Sequence, residues 1–307
     1  MNDMLCVDRP RGVAVATLTP MTAGLEPDVD RFVVHCRRML DRGADLLAVL
    51  GTTGEANSLG VDEKLRLMDA LGDSDIPGET LLPGTGTCSI ADTVILTRKA
   101  LEIGAAGVVM LPPFYYKGVS DAGLHAAYEE VIQRVGDARL RLYFYNFPYN
   151  SGVPISHGLI EGLLAAYPGA IAGIKDSSGD LDNMLAMCRR FPGFDVFAGS
   201  EQFLLPVLEA GGAGCISATA NVTISLCAEV LAAARTGEDA STLQEQLSAW
   251  RLAIQSQPLI PALKAILARD DGDEEWLALR PPLTVLDAAS GTALDEALGA
   301  AGFGRAV

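Results

Sequence analysis

Lys175 has the strongest position for chemistry in this sequence. It directly follows the apolar run Ile171–Ile174 and is itself followed by Asp-Ser-Ser-Gly at 176–179. A short uncharged run of this kind predicts a buried strand, which places Lys175 where the strand meets a loop. Partial burial there would favour the neutral amine, which can attack a keto-acid carbonyl to form a Schiff base. We therefore expect Lys175 to be a catalytic nucleophile.

Two threonines flanked by glycine follow the second predicted strand. They are Thr52 and Thr53, within the segment Gly-Thr-Thr-Gly-Glu that begins at Gly51. Hydroxyls and backbone amides in a tight loop can hold a carboxylate. A plain strand-to-helix turn is the alternative interpretation. The position at the end of a strand favours binding.

Other strand ends could contribute to the same site. Tyr145 closes the fifth predicted strand, where it could relay a proton or simply pack on the rim. Pro112-Pro113-Phe114-Tyr115-Tyr116 could line a pocket or form a subunit contact. The last two predicted strands lead into Gly199-Ser200-Glu201 and end in Gly214-Cys215-Ile216-Ser217, which would supply backbone groups and polar side chains.

Composition narrows the class of protein. The chain has 307 residues and a net charge of −16, which argues against binding to nucleic acid or to anionic membranes. The six cysteines form no C-x-x-C pair and are expected to be mostly buried reduced thiols, and the three histidines show no metal-ligand spacing. No signal peptide and no membrane-spanning run is recognised, so the sequence predicts a soluble cytoplasmic protein without a metal site.

Strand-like runs alternate with helical patterns along the first two thirds of the chain. This alternation predicts a (β/α)8 barrel over residues 1–222, with a helical segment over 223–307 packed on it. An open doubly wound sheet is the alternative fold, but no G-x-G-x-x-G follows the first strand. The strands are predicted at 13–18, 46–50, 80–83, 107–111, 141–145, 170–174, 195–198 and 214–217.

The ordered motifs identify a family. Gly-Thr-Thr-Gly-Glu from Gly51, Tyr-Asn-Phe-Pro from Tyr145 and Gly-Ile-Lys-Asp-Ser-Ser-Gly from Gly173 together resemble the dihydrodipicolinate synthase / N-acetylneuraminate lyase superfamily. The resemblance runs from about Gly12 to Arg280-Pro281-Pro282. It implies a barrel with C-terminal helices, usually a homotetramer of tight dimers, without metal or organic cofactor.

The resemblance also implies a role for individual residues. Lys175 would form the Schiff base with pyruvate or the cleaved 2-keto acid, and Tyr145 would shuttle protons. Thr52 and Thr53 would hold the keto-acid carboxylate, with Thr52 also in the proton relay. Tyr115 would reach into the neighbouring subunit's site. The carbonyl of Ile216 would face the pocket opposite Gly199.

The substrate is less defined by the motifs. Dihydrodipicolinate synthases carry an arginine at the position of Asn150, and a neutral amide cannot replace that guanidinium. The segment resembles sugar-acid lyases instead, including 2-keto-3-deoxygluconate aldolases. Ser177, Ser200, Glu201 and Ser217 could then bind sugar hydroxyls, although Glu201 could equally begin a helix.

The sequence therefore predicts a lyase that releases pyruvate from a 2-keto-3-deoxy sugar acid. Dihydrodipicolinate synthase itself is the first alternative, and a keto-deoxy acid dehydratase or hydratase using the same imine is the second. A catalytically silent keto-acid sensor is the non-enzymatic alternative, which the intact Lys175, Tyr145 and Thr52 disfavour.

Overall fold

Seven parallel strands form one curved sheet in the computed structural model, which describes residues 9–304. Their order in the sheet is β2-β1-β7-β6-β5-β4-β3. Every strand residue is buried, as expected of parallel strands covered on both faces. The strands are β1 Gly12–Val15, β2 Leu46–Leu47, β3 Val108–Met110, β4 Leu142–Asn146, β5 Ile171–Asp176, β6 Asp195–Ala198 and β7 Gly214–Ser217.

The gap between β2 and β3 is closed by residues 81–84, where the third strand was predicted. Leu81 pairs in parallel with Leu47 of β2, and Gly84 pairs with Val109 of β3. Backbone hydrogen bonds of 2.8–3.1 Å continue on both sides of this segment. The predicted (β/α)8 barrel is confirmed, with single bridges in place of a regular third strand.

Twelve α-helices accompany the strands in the described part of the chain. Several of these helices are capped at their N-terminus by a side chain that accepts a backbone N–H, among them those that follow Asp28, Ser120, Ser156 and Asp180. The helices are α1 Val29–Asp41, α2 Val61–Gly72, α3 Ile90–Glu102, α4 Asp121–Val135, α5 Pro148–Ser151, α6 His157–Ala166, α7 Leu181–Arg190, α8 Leu204–Glu209, α9 Ala220–Thr236, α10 Ser241–Gln255, α11 Leu259–Asp271 and α12 Ala288–Ala300.

The C-terminal part of the chain is helical. Helix α9 packs against β1, and α10, α11 and α12 pack on one another beyond it. The last helix begins at Ala288, where the side chain of Asp287 caps it, six residues before its first buried leucine, Leu294. The proposed division at residue 222 falls inside α9.

Three apolar clusters organise the interior. One fills the barrel itself and includes Tyr143, Tyr145, Phe197 and Ile216. A larger one lies between the strands and the surrounding helices, and the third joins α10, α11 and α12 to the barrel. Along β4, Tyr143 and Tyr145 point into the barrel while Phe144 points outward, which places alternate side chains inside.

The cysteines are less uniformly buried than the sequence predicts. Cys36, Cys215 and Cys227 are buried, and burial raises the pKa of each of these thiols. Cys188 is half-buried and Cys88 is exposed, whereas Cys6 lies outside the described residues. Within residues 9–304, no helix is long and apolar enough to cross a membrane.

Candidate active site

Lys175 lies beside Tyr145 at the carboxyl ends of β5 and β4. The two residues are direct partners in the parallel register, and Lys175 is also paired with Phe197 of β6. The Nζ atom of Lys175 is 4.3 Å from the centre of the Tyr145 ring, within the range of a cation–π contact. Only 7% of Lys175 is exposed. The barrel therefore presents one amine, next to one phenol, at the face where such folds carry their active sites.

The buried carboxylate of Asp176 joins the ends of these two strands through hydrogen bonds. Asp176 accepts hydrogen bonds from the side-chain amides of Asn146 (3.1 Å) and Asn183 (2.9 Å) and from the backbone N–H of Ser178 (2.8 Å). Asp176 has no exposed surface, so these donors replace its lost hydration. Asn146 directly follows Tyr145, and Asp176 directly follows Lys175. The hydrogen bond between Asn146 and Asp176 therefore fixes Tyr145 and Lys175 relative to each other.

The loop that carries Thr52 and Thr53 is a tight turn with unusual backbone angles at both ends. Leu50 has φ 56° and Glu55 has φ 55°, a left-handed conformation that residues other than glycine seldom adopt. The N–H of Glu55 donates to the Thr52 carbonyl oxygen at 3.1 Å. The turn places Oγ1 of Thr52 3.5 Å from the hydroxyl oxygen of Tyr145. Thr52 is thus within reach of the phenol, as a proton relay requires.

A cleft of about 790 Å³ opens above Lys175. Most residues expected from the sequence line it, including Asn150. Gly51 lies in a smaller adjoining pocket that shares Thr52, Tyr145 and Lys175 with the cleft. The expected residues that line the main cleft are Thr52, Thr53, Tyr145, Asn150, Lys175, Ser177, Gly199 and Ser200.

Gly199 lets two strand-end loops meet closely. A Cβ atom on Gly199 would lie 2.0 Å from Oγ of Ser177 and 2.7 Å from the carbonyl oxygen of Asp176. The Gly199 N–H also donates to that carbonyl at 2.7 Å. Only glycine allows this approach, so Gly199 shapes the wall of the cleft through its missing side chain.

Glu201 and Ser217 are not among the residues that line the cleft. Both are fully buried, and the Ser217 hydroxyl donates to the Glu201 carboxylate. Thr219 also donates to Glu201, and Nη1 of Arg251 lies 3.3 Å from it. Because these groups are already satisfied by one another, the predicted contact of Glu201 and Ser217 with substrate hydroxyls is not made by the side chains as they stand.

Two further expected residues also lie outside the cleft lining. The Ile216 side chain is packed inside the barrel, and Tyr115 is 74% exposed on its loop, with its ring against Tyr116. An exposed tyrosine pair suits contact with another molecule better than a role within this chain's own cleft.

The C-terminal helices supply cleft residues that the sequence reasoning missed. Arg251 and Gln255 come from α10, Gln257 comes from the connection between α10 and α11, and Leu259 is the first residue of α11. No motif marks these residues, since their place depends on how α10 and α11 pack over the barrel. A single signal was available: Pro258 immediately precedes α11 and fixes where that helix begins.

No group of three or more histidine, cysteine, aspartate or glutamate side chains between residues 9 and 304 is arranged to hold a metal ion.

Comparison with known proteins gives a consistent result. The model of the dihydrodipicolinate synthetase family matches residues 9–301. An uncharacterized DapA-like lyase from Chloroflexus aurantiacus is 34% identical over 280 residues, covering 90% of this chain and 92% of the relative.

Solved structures share the fold over nearly the whole chain. Dihydrodipicolinate synthase from Agrobacterium tumefaciens superposes with a TM-score of 0.87 at 28% identity, covering 94% of this chain and 98% of the other. YagE from E. coli K12, a member of the dihydrodipicolinic acid synthase family crystallised in complex with pyruvate, has a TM-score of 0.85 at 26% identity, with 96% and 99% covered.

Proposed function

The chain belongs to the dihydrodipicolinate synthetase family, and we propose that Lys175 is the residue through which it forms a Schiff base with a 2-keto acid. Membership makes the protein a pyruvate-dependent lyase of the class I aldolase type, as the sequence predicted. One observation carries the assignment to Lys175: its Nζ atom lies in the cleft at the carboxyl ends of the strands, directly beside Tyr145.

The proposed reaction begins when the neutral amine of Lys175 attacks the C2 carbonyl of the substrate. Loss of water from the carbinolamine leaves a protonated imine, which accepts the electron pair of the C3–C4 bond as that bond breaks. The C4 hydroxyl loses its proton and becomes the carbonyl of the released aldehyde. The remaining enamine takes a proton at C3, and hydrolysis of the imine frees pyruvate and Lys175.

Tyr145 and Thr52 suit the proton transfers in this scheme. The Tyr145 hydroxyl is 3.5 Å from Oγ1 of Thr52, so a proton can pass between them with a small adjustment. Thr53, 6% exposed, lies on the same turn and would donate to the keto-acid carboxylate together with the turn's amides. The enzyme needs no metal or organic cofactor in this proposal, because the imine itself is the electron sink.

The cleft supports a sugar-acid substrate. Pyruvate would occupy a small part of about 790 Å³, and the remaining polar lining consists mainly of neutral groups. Of the other charged residues in the lining, Arg251 lies beside Glu201, and Asp176 is held by amides. Neutral amides and hydroxyls recognise a polyhydroxylated chain, whereas a second carboxylate calls for a free cation. We therefore propose cleavage of a 2-keto-3-deoxy sugar acid.

Dihydrodipicolinate synthase is the second candidate, because a structural relative carries that name at 28% identity. Asn150, which lines the cleft where those enzymes are expected to carry arginine, disfavours it. A keto-deoxy acid dehydratase would use the same imine. We also propose a homotetramer, in which Tyr115 reaches the site of a neighbouring subunit, and a cytoplasmic location.

Borohydride reduction in the presence of pyruvate tests the role of Lys175. We expect a single reduced pyruvate adduct on the peptide that contains Lys175, and none in Lys175→Ala. Lys99→Ala is the matched control, since Lys99 is ion-paired to Asp69 and Glu102 on the helical surface. An adduct on another lysine, or near-normal turnover by Lys175→Ala, would contradict the assignment.

A substrate panel separates the candidates. We expect 2-keto-3-deoxygluconate to yield pyruvate and glyceraldehyde. Dehydration of the same compound without pyruvate release would identify a dehydratase. Efficient condensation of pyruvate with aspartate semialdehyde, without sugar-acid cleavage, would reverse the ranking. A protein that forms the adduct and turns over no substrate would be a keto-acid sensor.

A further inference from the structure

The turn that carries Thr52 and Thr53 is held in a costly backbone conformation. Leu50 and Glu55, at its two ends, both have positive φ, and both are buried. Such angles persist only where the surroundings determine them. Hydrogen bonds inside the turn close it, and the Thr19 hydroxyl donates to the Gly54 carbonyl oxygen at 2.9 Å from the barrel side. The side of the turn that faces away from Thr19 needs a contact of its own if both threonines are to stay in place.

Glu55 makes that contact with the C-terminal part of the chain. Its Oε1 atom accepts a hydrogen bond from Nζ of Lys264 in α11 at 2.5 Å, and neither side chain is exposed. Its Oε2 atom accepts from the backbone N–H of Arg280 at 3.1 Å. Lys264 donates in addition to the Ala278 carbonyl oxygen at 2.8 Å. The carboxylate thus joins the turn to α11 and to the segment that follows it.

The position of this ion pair argues against a purely stabilising role. A buried ion pair is often no more stabilising than apolar residues of the same size, because both charges lose their hydration. Other ion pairs already attach the C-terminal segment to α1, including Arg31 with Asp273 and Arg38 with Asp271. Neither of those touches the turn. Glu55 itself is not among the residues lining the cleft, so it does not contact the substrate.

We infer that Glu55 and Lys264 form a positioning pair, through which the C-terminal helices hold Thr52 and Thr53 in register with Tyr145 and Lys175. The inference rests on the proposed function, in which the two threonines bind the keto-acid carboxylate. Without the pair, the turn keeps its hydrogen bond from Thr19 but loses its contact with the C-terminal helices, so it shifts and the 3.5 Å separation between Thr52 and Tyr145 is lost. Carboxylate binding and proton transfer then fail together.

The test measures how much pyruvate is needed to half-saturate borohydride trapping on Lys175. Glu55→Gln alone would leave the Lys264 ammonium buried without a counter-charge, so the main variant is Glu55→Gln with Lys264→Met, which removes both charges. Glu55→Asp is the second variant, because it keeps the charge and shortens the reach. Arg31→Gln is the control, since it breaks ion pairs with Asp273 and Glu275 in the C-terminal segment that make no contact with the turn. Circular dichroism establishes that each variant is folded.

Hydroxyacetone, a ketone without a carboxylate, provides a second readout on the same lysine. In both Glu55 variants we expect half-saturation by pyruvate to rise roughly 10- to 100-fold, as for a misplaced binding group. Trapping of hydroxyacetone, and of pyruvate in Arg31→Gln, should stay at the wild-type level. A folded double variant with unchanged pyruvate trapping would overturn the inference, as would an equal loss for hydroxyacetone. Failure of the wild type to trap pyruvate at all would instead defeat the proposed function.

Discussion

The Nζ atom of Lys175 lies 4.3 Å from the centre of the Tyr145 ring, because the two residues are register partners on adjacent parallel strands. Strand pairing therefore sets this contact, and no flexible loop intervenes. The ring packs inside the barrel, while its hydroxyl approaches Thr52. The amine and the phenol are thus held rigidly on the same face of the barrel, at the ends of the strands. This arrangement suits the repeated proton transfers that an imine mechanism requires.

Replacement of Tyr145 by phenylalanine should separate imine formation from turnover. The ring remains beside Lys175, but the hydroxyl that faces Thr52 is lost. We expect kcat to fall by about 10²- to 10⁴-fold, the usual contribution of a positioned proton donor or acceptor. Borohydride trapping of pyruvate at equilibrium should persist. Tyr167→Phe, which removes a surface hydroxyl bonded to Glu129, is the control, and equal losses in both variants would contradict the assignment.

Replacement of Gly199 by alanine should destabilise the protein and narrow the cleft. The new methyl group would lie 2.0 Å from Oγ of Ser177, so one of the two loops must move. We expect the free energy of unfolding to fall by about 1–3 kcal/mol, as for other overpacked sites. Gly291→Ala is the matched control, because α12 has open space there and alanine should raise stability by about 0.5–1 kcal/mol. Urea unfolding of both variants measures the difference.

His35 should make stability depend on pH in the weakly acidic range. Burial lowers its pKa from 6.5 to about 4, although the hydrogen bond with Asn221 opposes that shift. Between these two values the unfolded chain binds a proton that the folded protein does not, so unfolding becomes easier as pH falls. We expect this part of the pH dependence to be absent in His35→Gln. Protonation of His35 near pH 6.5 in an NMR titration of the folded protein would refute the prediction.

Glu63, through its hydrogen bonds with Arg280, should make stability depend on pH in a more acidic range than His35 does. The guanidinium hydrogen bonds lower the pKa of Glu63 from 4.5 to about 2, against the effect of burial. The stabilisation is complete above pH 4.5 and disappears as pH falls towards 2, where the folded carboxylate takes up its proton. Unfolding of Glu63→Gln should lose this acid-dependent component. Glu245→Gln, at an exposed position on α10, should retain it.

Repeating local patterns made much of the fold predictable. Each strand is a short apolar run followed by a loop, and caps such as Asp28 and Ser120 mark where helices begin. The segment 81–84 was less regular than expected, because it joins its neighbours through single bridges. The first turns of α12, 288–293, carry no apolar stripe, so the periodic pattern does not show where this helix begins.

The sequence by itself determined the family, the barrel and the candidates Lys175, Tyr145, Thr52 and Thr53, since all four lie at or just after the ends of predicted strands and the carboxyl ends of parallel strands meet on one face. Only the tertiary structure decided that Glu201 and Ser217 are hydrogen-bonded in a buried cluster with Arg251. It alone showed that α10 and α11 complete the cleft and that Lys264 reaches the turn at Glu55. Those contacts join residues far apart in the chain, and their pairing depends on packing between helices, which no local pattern encodes.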